Sequence, residues 1–260
     1  MQNMANTERV KDLYVKQDTL TTRMGLHHKY SVNQYGFGNW VFDQYSIAGN
    51  MKILELGCGT AVIWQNRDAR IPQGVQITLS DFSPLMVEKA RNLLQHNPVF
   101  SFTQVNIEEI PYDNDSFDIV IANHMLYHVP DKDKALAEVR RVLKPGGYFY
   151  ATTAGEVSYQ EITDIKRRFD DKANFSYPKN LSFTLESGTA LLEKFFANIE
   201  QRHYIDALEV TDAGDLMEYI ESDNEIPADI YDDFYRLICE GFVDGVFKIR
   251  KEQGIFVCSK

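Results

Sequence analysis

One stretch constrains the fold of this chain more than any other: Met51-Lys-Ile-Leu-Glu-Leu-Gly-Cys-Gly-Thr60. Met51, Ile53, Leu54 and Leu56 are apolar and Glu55 interrupts them, so the segment reads as a buried strand running into a tight turn. A strand ending in Gly57-x-Gly59 offers bare backbone, because glycine has no side chain to hold a ligand away. Asp81 closes the next apolar run, Val75-Gln-Ile-Thr-Leu-Ser-Asp81. A carboxylate there can accept hydrogen bonds from both hydroxyls of a ribose. Glycine turn and acid together point to a ligand that contains a nucleoside.

From Met51 to Thr153 apolar runs alternate with helical patterns, which implies a largely parallel sheet with helices on both faces. Strands are expected at Lys52–Leu56, Val75–Ser80, Phe100–Val105, Phe117–Ala122 and Gly147–Thr152. Ser83-Pro84 opens a helix, with Ser as the cap and Pro in the first turn. A second helix, Asp131 to Leu143, carries Leu136, Val139 and Leu143 at helical spacing and stops at Pro145-Gly146-Gly147. Residues Glu156 to Phe183 are polar with scattered aromatics and read as a lid-like insertion. Beyond them we expect a helix over Ser187–Phe196, a strand over Ile199–Ile205, helices over Asp215–Ser222 and Ile226–Phe247, and a last strand over Gln253–Ser259. At the amino end an amphipathic segment, Val10–Leu20, precedes an aromatic-rich stretch to Tyr45.

The chain has 260 residues, room for one sizeable core with an elaborated cap. Its formal charge of -11 argues against a general phosphate-backbone binder. Cys58, Cys239 and Cys258 are widely spaced, with no Cys/His cluster of the kind that holds zinc, so no metal is expected. Unpaired cysteines, no apolar signal core and no run of membrane-spanning length favour a cytoplasmic protein without membrane association.

Four segments in order resemble the motifs of class I S-adenosylmethionine-dependent methyltransferases, in their small-molecule (methyltransferase type 11/25-like) branch. Glu55-Leu-Gly-Cys-Gly-Thr60 is similar to the first and Leu79-Ser-Asp-Phe-Ser-Pro-Leu-Met86 to the second. Val105-Asn-Ile-Glu-Glu-Ile-Pro-Tyr-Asp-Asn-Asp-Ser-Phe-Asp118 is similar to the third. Ala122-Asn-His-Met-Leu-Tyr-His-Val-Pro-Asp131, with Arg141-Val-Leu-Lys-Pro-Gly-Gly147, is similar to the fourth and its trailing helix. The resemblance covers Met51 to Thr153, is poor for Glu156 to Phe183, and is suggestive for Arg23 to Ser31. It implies a Rossmann-like, mostly parallel seven-stranded sheet of order 3-2-1-4-5-7-6, the last strand antiparallel. One domain over 1–260 is expected: an N-terminal helical cap (1–50), a cofactor-binding core (51–155), the insertion after the fifth strand (156–186) and a C-terminal part of the core (187–260).

The resemblance also implies site residues. Gly57, Cys58 and Gly59 would present backbone to the methionine part of S-adenosylmethionine, with Glu55 fixing the loop beneath. Asp81 would bind the ribose, Phe82 and Met86 would flank the adenine, and Asn106 and Ile107 would read its edge. Asn123 would lie near the methionine amino group, and Tyr30 with Trp40 would wall the pocket. Each has a bland alternative: Glu55 as a capping carboxylate, Met86 as core packing, Tyr30 and Trp40 as packing of the cap. Two positions depart from the family pattern. Ala61 stands where a third glycine is common, a methyl tolerable on the opening turn of a helix. Asn106 stands where Asp is usual, and its carbonyl can still accept a hydrogen bond from adenine.

His128, His124 and His28 are the candidate bases, with His27 beside them, because an imidazole can take a proton near neutral pH. His128 could equally pack beneath the cofactor. Lys29 and Arg23 could hold an anionic group or simply be solvated. The implied reaction is in-line transfer of a methyl group to an O, N, S or C nucleophile of a small molecule, yielding S-adenosylhomocysteine, by a monomer or homodimer that does not bind nucleic acid. A nicotinamide oxidoreductase is disfavoured because its fingerprint wants glycine where Val62 stands. A non-catalytic or vestigial S-adenosylmethionine-binding protein on the same fold is the standing alternative.

Overall fold

The computed structural model describes residues 25–173, 175, 181–222 and 225–260. The Val10–Leu20 segment and Arg23 lie outside the described residues. Seven strands form one sheet: β1 Lys52–Leu56, β2 Gln76–Asp81, β3 Phe100–Gln104, β4 Phe117–Asn123, β5 Leu143–Ala154, β6 Asn198–Val210 and β7 Phe247–Ser259. Their order is β3-β2-β1-β4-β5-β7-β6, as expected. β1 pairs in parallel with β2 and β4, β2 with β3, and β4 with β5. β7 runs antiparallel to β5: Gly146 and Gly147 bond to Lys260, whereas Gly155 bonds to Glu252.

The period of two along β1 sorts its residues between two cores. Leu54 and Leu56 face one side, with Val120, Ala122, Phe149 and Ala151. Helix α3 (Lys132–Val142) covers that side through Ala135, Leu136, Val139 and Val142. Ile53 faces the other side, with Ile77, Leu79, Ile119, Ile121 and Tyr150. There α1 (Phe37–Gln44) adds Val41 and Phe42, and α2 (Pro84–Leu94) adds Ala90 and Leu94. Each fully buried Leu, Ile or Phe contributes roughly 1.5–3 kcal/mol, so these two faces hold the sheet rigid beneath its loops. Glu55 shares the side of Ile53, which places an acid inside an apolar layer.

The chain divides into two compact units. The core unit comprises Phe37–Thr153, Ser182–His203 and Gly254–Lys260, and contains both cores just described together with α5 (Leu185–Leu192). The described residues of the accessory unit are 25–36, 154–173, 175, 181, 204–222 and 225–253. Its helices are α4 (Gln160–Lys166), α6 (Ala213–Glu221) and α7 (Tyr231–Glu240). They bury Ile162, Ile165, Leu216, Ile220, Phe234 and Ile238 against Leu208, Val210 and Ile249.

Two local expectations are corrected. First, β1 leads into two short 3₁₀ turns, Val62–Trp64 and Asp68–Arg70, and Ala61 precedes the first with φ 58°. Ala61 thus sits in left-handed backbone and not on the opening turn of a helix, a conformation costing roughly 1–2 kcal/mol for a residue with a Cβ. Second, α7 stops at Glu240 and does not reach Phe247. Asp244 and Gly245 have φ of 52° and 79°, and Val243 and Val246 exchange both backbone hydrogen bonds. This two-residue hairpin turn starts β7, and Asp-Gly is the dipeptide that favours it.

Candidate functional site

In an open α/β sheet a ligand crevice lies beyond the carboxyl ends of the strands where the order reverses. Here the reversal is at β1, flanked by β2 and β4. Gly57, Gly59 and Ala61 all have positive φ, so the chain folds back on itself after β1. Three bonds fix the loop: Cys58 N–H to Ser80 O (2.8 Å), Gly59 N–H to Asp81 Oδ2 (2.9 Å) and Ala61 N–H to Cys58 O (2.9 Å). The two glycines differ in what surrounds them. A Cβ on Gly57 would lie 2.8 Å from Met125 Cγ, so the protein itself fills that side. A Cβ on Gly59 would meet no atom within 4 Å. Gly59 therefore presents open backbone, the property a glycine loop needs to admit a ligand.

Asp81 ends β2 and is buried. Its Oδ2 holds Gly59, and its Oδ1 accepts from Ser83 N–H at 2.8 Å at the start of α2. The Ser83 hydroxyl makes no cap bond of its own, so Asp81 ties the glycine loop to the helix start. Burial pushes its carboxyl above the usual range, against the pull of the two N–H groups. A carboxylate oxygen can accept more than one hydrogen bond, so acceptor capacity remains for two hydroxyls.

Glu55 is buried beneath the loop. Its Oε2 accepts from the Trp64 indole N–H and its Oε1 from Asn123 Nδ2 at 2.9 Å. Burial raises its carboxyl to about 7, with a smaller push from Asp81, against the two donors. Asn123 also donates to Tyr45 Oη at 2.8 Å and accepts from Thr152 Oγ1 at 3.3 Å. The Asn123 Nδ2 group thus donates to both Glu55 and Tyr45.

Among the adenine candidates, Met86 and Ile107 are buried while Phe82 is 41% exposed. Asn106 is exposed, and its Oδ1 accepts from Glu108 N–H at 3.0 Å. The same carbonyl oxygen keeps a second lone pair for another donor. Burial drives the Cys58 thiol far up, which removes it as a nucleophile at neutral pH. His124 (φ 49°) and His128 flank the Tyr127 ring at 6.3 and 4.5 Å, and His124 lies 5.2 Å from Phe37. Trp40 stacks on Phe37 at 5.9 Å. His28 is exposed and belongs to the accessory unit. In that unit Tyr30 and Lys29 both donate to Asp215, and His27 lies 3.4 Å from the Tyr159 hydroxyl. Trp64, Tyr45 and Met125 were not read as site residues. Nothing in their spacing brings them to Glu55 and Gly57; only the return of the chain after β1 and β4 does.

A doubly wound domain with a glycine loop at its switch point and an acid ending β2 is a nucleotide-cofactor domain. Residues 54–151 match the family described as methyltransferase domain. The ubiquinone/menaquinone biosynthesis C-methyltransferase UbiE of Psychromonas ingrahamii is 36% identical over 108 residues, covering 40% of this chain and 43% of that protein. The chain thus spans less than half the length of this curated relative. Two solved structures share the fold. The YcgJ protein of Bacillus subtilis has a TM-score of 0.59 at 19% identity, covering 86% of this chain and 97% of that one. A Haemonchus contortus phosphoethanolamine N-methyltransferase 2, in complex with phosphomonomethylethanolamine and S-adenosylhomocysteine, has a TM-score of 0.52 at 20% identity, covering 86% and 52%. The segment that holds the glycine loop and Asp81 is thus similar to a methyltransferase domain.

Proposed function

We propose that this protein transfers the methyl group of S-adenosylmethionine to a nucleophilic O, N, S or C atom of a small molecule. The observation that carries the reading is the open backbone at Gly59, locked by Asp81 at the switch point of the sheet. The cofactor supplies a methyl group already activated on a sulfonium, so the protein's tasks are binding, alignment and exclusion of water. In this reading Gly57, Cys58 and Gly59 give the loop, Asp81 takes the ribose hydroxyls, and Phe82, Met86 and Ile107 form the adenine wall. Asn106 presents its amide edge there. Glu55 and Asn123 set the charge beneath the loop. His124 and His128 are the candidate proton acceptors for a nucleophile that carries a proton, and Tyr127 between them fixes their rings.

A small-molecule acceptor is supported by the acidic surface charge and by the C-methyltransferase relatives, whose name makes carbon acceptors part of any screen. The protein is taken to act in the cytoplasm as a monomer or homodimer. Among the described residues no helix is long and apolar enough to cross a membrane. The test is calorimetric titration with S-adenosylhomocysteine, with NAD as control, followed by a radiolabelled methyl-transfer screen. Micromolar binding of S-adenosylhomocysteine alone, then label on a small acceptor, is expected. Binding of NAD alone overturns the cofactor, and rapid methylation of bulk tRNA or protein with none of small molecules overturns the acceptor class. Cofactor binding without turnover on any acceptor would favour the non-catalytic alternative.

A further inference from the structure

The two glycines after β1 differ in a way that points to one further residue. Gly59 faces open space, whereas Gly57 is covered by the side chain of Met125. A Cβ built on Gly57 would lie 2.8 Å from Met125 Cγ, 2.9 Å from its Cβ and 3.2 Å from its Cε. Both ends of the side chain face the glycine, so Met125 lies along it and does not merely touch it with its tip. The backbone after β4 brings this about. His124 is in left-handed backbone at φ 49°, and its N–H donates to Thr152 O at 3.1 Å and Thr152 Oγ1 at 3.0 Å on β5. A residue in that conformation turns the chain sharply at the strand end. The His124 ring packs beside Phe37 and Tyr127, and the next side chain is delivered to Gly57. Met125 then opens the 3₁₀ turn Leu126–His128, where its carbonyl accepts from His128 N–H at 2.9 Å and Leu126 is fully buried. Met125 is thus pinned on both sides, half-buried against the core that contains Leu54 and Leu56.

We propose that Met125 is a specificity-determining residue: it replaces Gly57 as the surface that the sulfur-bearing end of the ligand meets, and it limits the alkyl group on that sulfur to methyl. The inference rests on the reading of this loop as the cofactor site. In that reading Asp81 takes the ribose at the end of β2, and Phe82, Met86 and Ile107 take the adenine on the side of β2 and β3. β4 lies on the opposite side of β1. The rest of the ligand then runs along the loop toward β4, where Gly59 leaves its backbone open and Met125 closes the space beside Gly57. A side chain backed by a close-packed core gives way little to an added carbon.

Calorimetric titration of the full-length protein with three ligands tests this. S-adenosylhomocysteine, S-adenosylmethionine and its S-ethyl analogue S-adenosylethionine carry nothing, methyl and ethyl on the sulfur. The wild type should bind the ethyl compound about tenfold or more weakly than the methyl one, the scale on which a pocket rejects one methylene. Met125→Ala should close most of that gap. A merely structural role for Met125 would weaken all three ligands by the same factor and leave the gap as it was. Met125→Leu, of similar volume, should keep the discrimination. If Met125→Ala fails to fold, Met125→Val removes less of the side chain and should narrow the gap in the same direction. Equal binding of the two sulfonium compounds by the wild type overturns the proposal and leaves the cofactor site standing. A gap that the shortened variants leave unchanged also overturns it, by assigning the limit to another side chain. Binding of none of the three overturns the cofactor site, and this inference with it.

Discussion

Asp81→Ala separates the two tasks given to one carboxylate. In the free protein it removes the acceptors of Gly59 N–H and Ser83 N–H, at 2.9 and 2.8 Å. Hydrogen bonds to a charged group contribute roughly 1.5–3 kcal/mol each. Removing a buried charge returns part of that, since burial already pushes this carboxyl upward. The net loss should be about 2–3 kcal/mol, or roughly 5–10 °C in Tm for a chain of this size. Ligand binding should weaken in addition by about 1–3 kcal/mol for the lost ribose contacts, roughly 5- to 150-fold in Kd. Thermal unfolding followed by tryptophan fluorescence reads the first number, and S-adenosylhomocysteine calorimetry well below the variant's Tm reads the second. Asp81→Asn retains one acceptor and should fall between wild type and Asp81→Ala on both axes. An unchanged Tm would refute the claim that Asp81 holds the loop. An unchanged Kd in a destabilised variant would remove Asp81 from the cofactor.

Further expectations follow from the same geometry. Gly57→Ala should cost more stability than Gly59→Ala, about 2 kcal/mol or more against about 1, because only the first combines left-handed backbone with a 2.8 Å approach to Met125. The order should invert for ligand affinity, since the methyl on Gly59 enters open space; denaturant melts and titrations of the pair decide. Glu55 has its folded value raised from 4.5 to about 7, so the folded state binds the extra proton between these values. Stability of the ligand-free protein should therefore fall as pH rises through that window, by about 3 kcal/mol from this group, and level off above it. Chemical denaturation at pH 5 and pH 8 measures the fall, and equal stability at the two would contradict it. In the accessory unit Lys251 Nζ bonds the buried Asp206 at 2.6 Å, and Asp206 also receives the Ser31 hydroxyl and the Asn33 N–H. Lys251→Met should destabilise by about 3–5 kcal/mol by leaving that carboxylate unpaired, and a melt within 1 kcal/mol of wild type would contradict it.

Much of the core unit was legible before any coordinates. The first strand matches the expectation residue for residue, and β2, β3 and β4 match to within one residue; for β1, β2 and β4 the reason is that a parallel strand buried on both faces must be a short apolar run between turn residues. Gly57, Gly59 and Asp81 were legible for a related reason: left-handed backbone and a strand-ending acid are local demands that few residue types meet. The carboxyl-terminal elements were less so. Ile226–Phe247 carries one long apolar periodicity, and the Asp244-Gly245 turn that cuts it was outweighed by that pattern. β5 begins at Leu143, four residues before the expected Gly147, because the pairing with β4 shifts register between Phe117 and Ile119 and carries the Pro145-Gly146-Gly147 breaker within the strand.

By itself the sequence determined the alternation of strands and helices, the pointer to a nucleoside-containing ligand and the residues whose backbone makes the loop. All of these depend on contacts within a few residues or on a pattern repeated along the chain. Tertiary structure alone decided what the side chains do once there. Asn123 anchors Glu55 and Tyr45, because its amide lies within reach of both. Asn106 Oδ1 accepts from Glu108 N–H within its own turn. Glu55 became a buried acid between Trp64 and Asn123, since the chain returns over β1 from both sides. Burial and partner set the charge of a carboxylate, and both are properties of residues far apart in the chain.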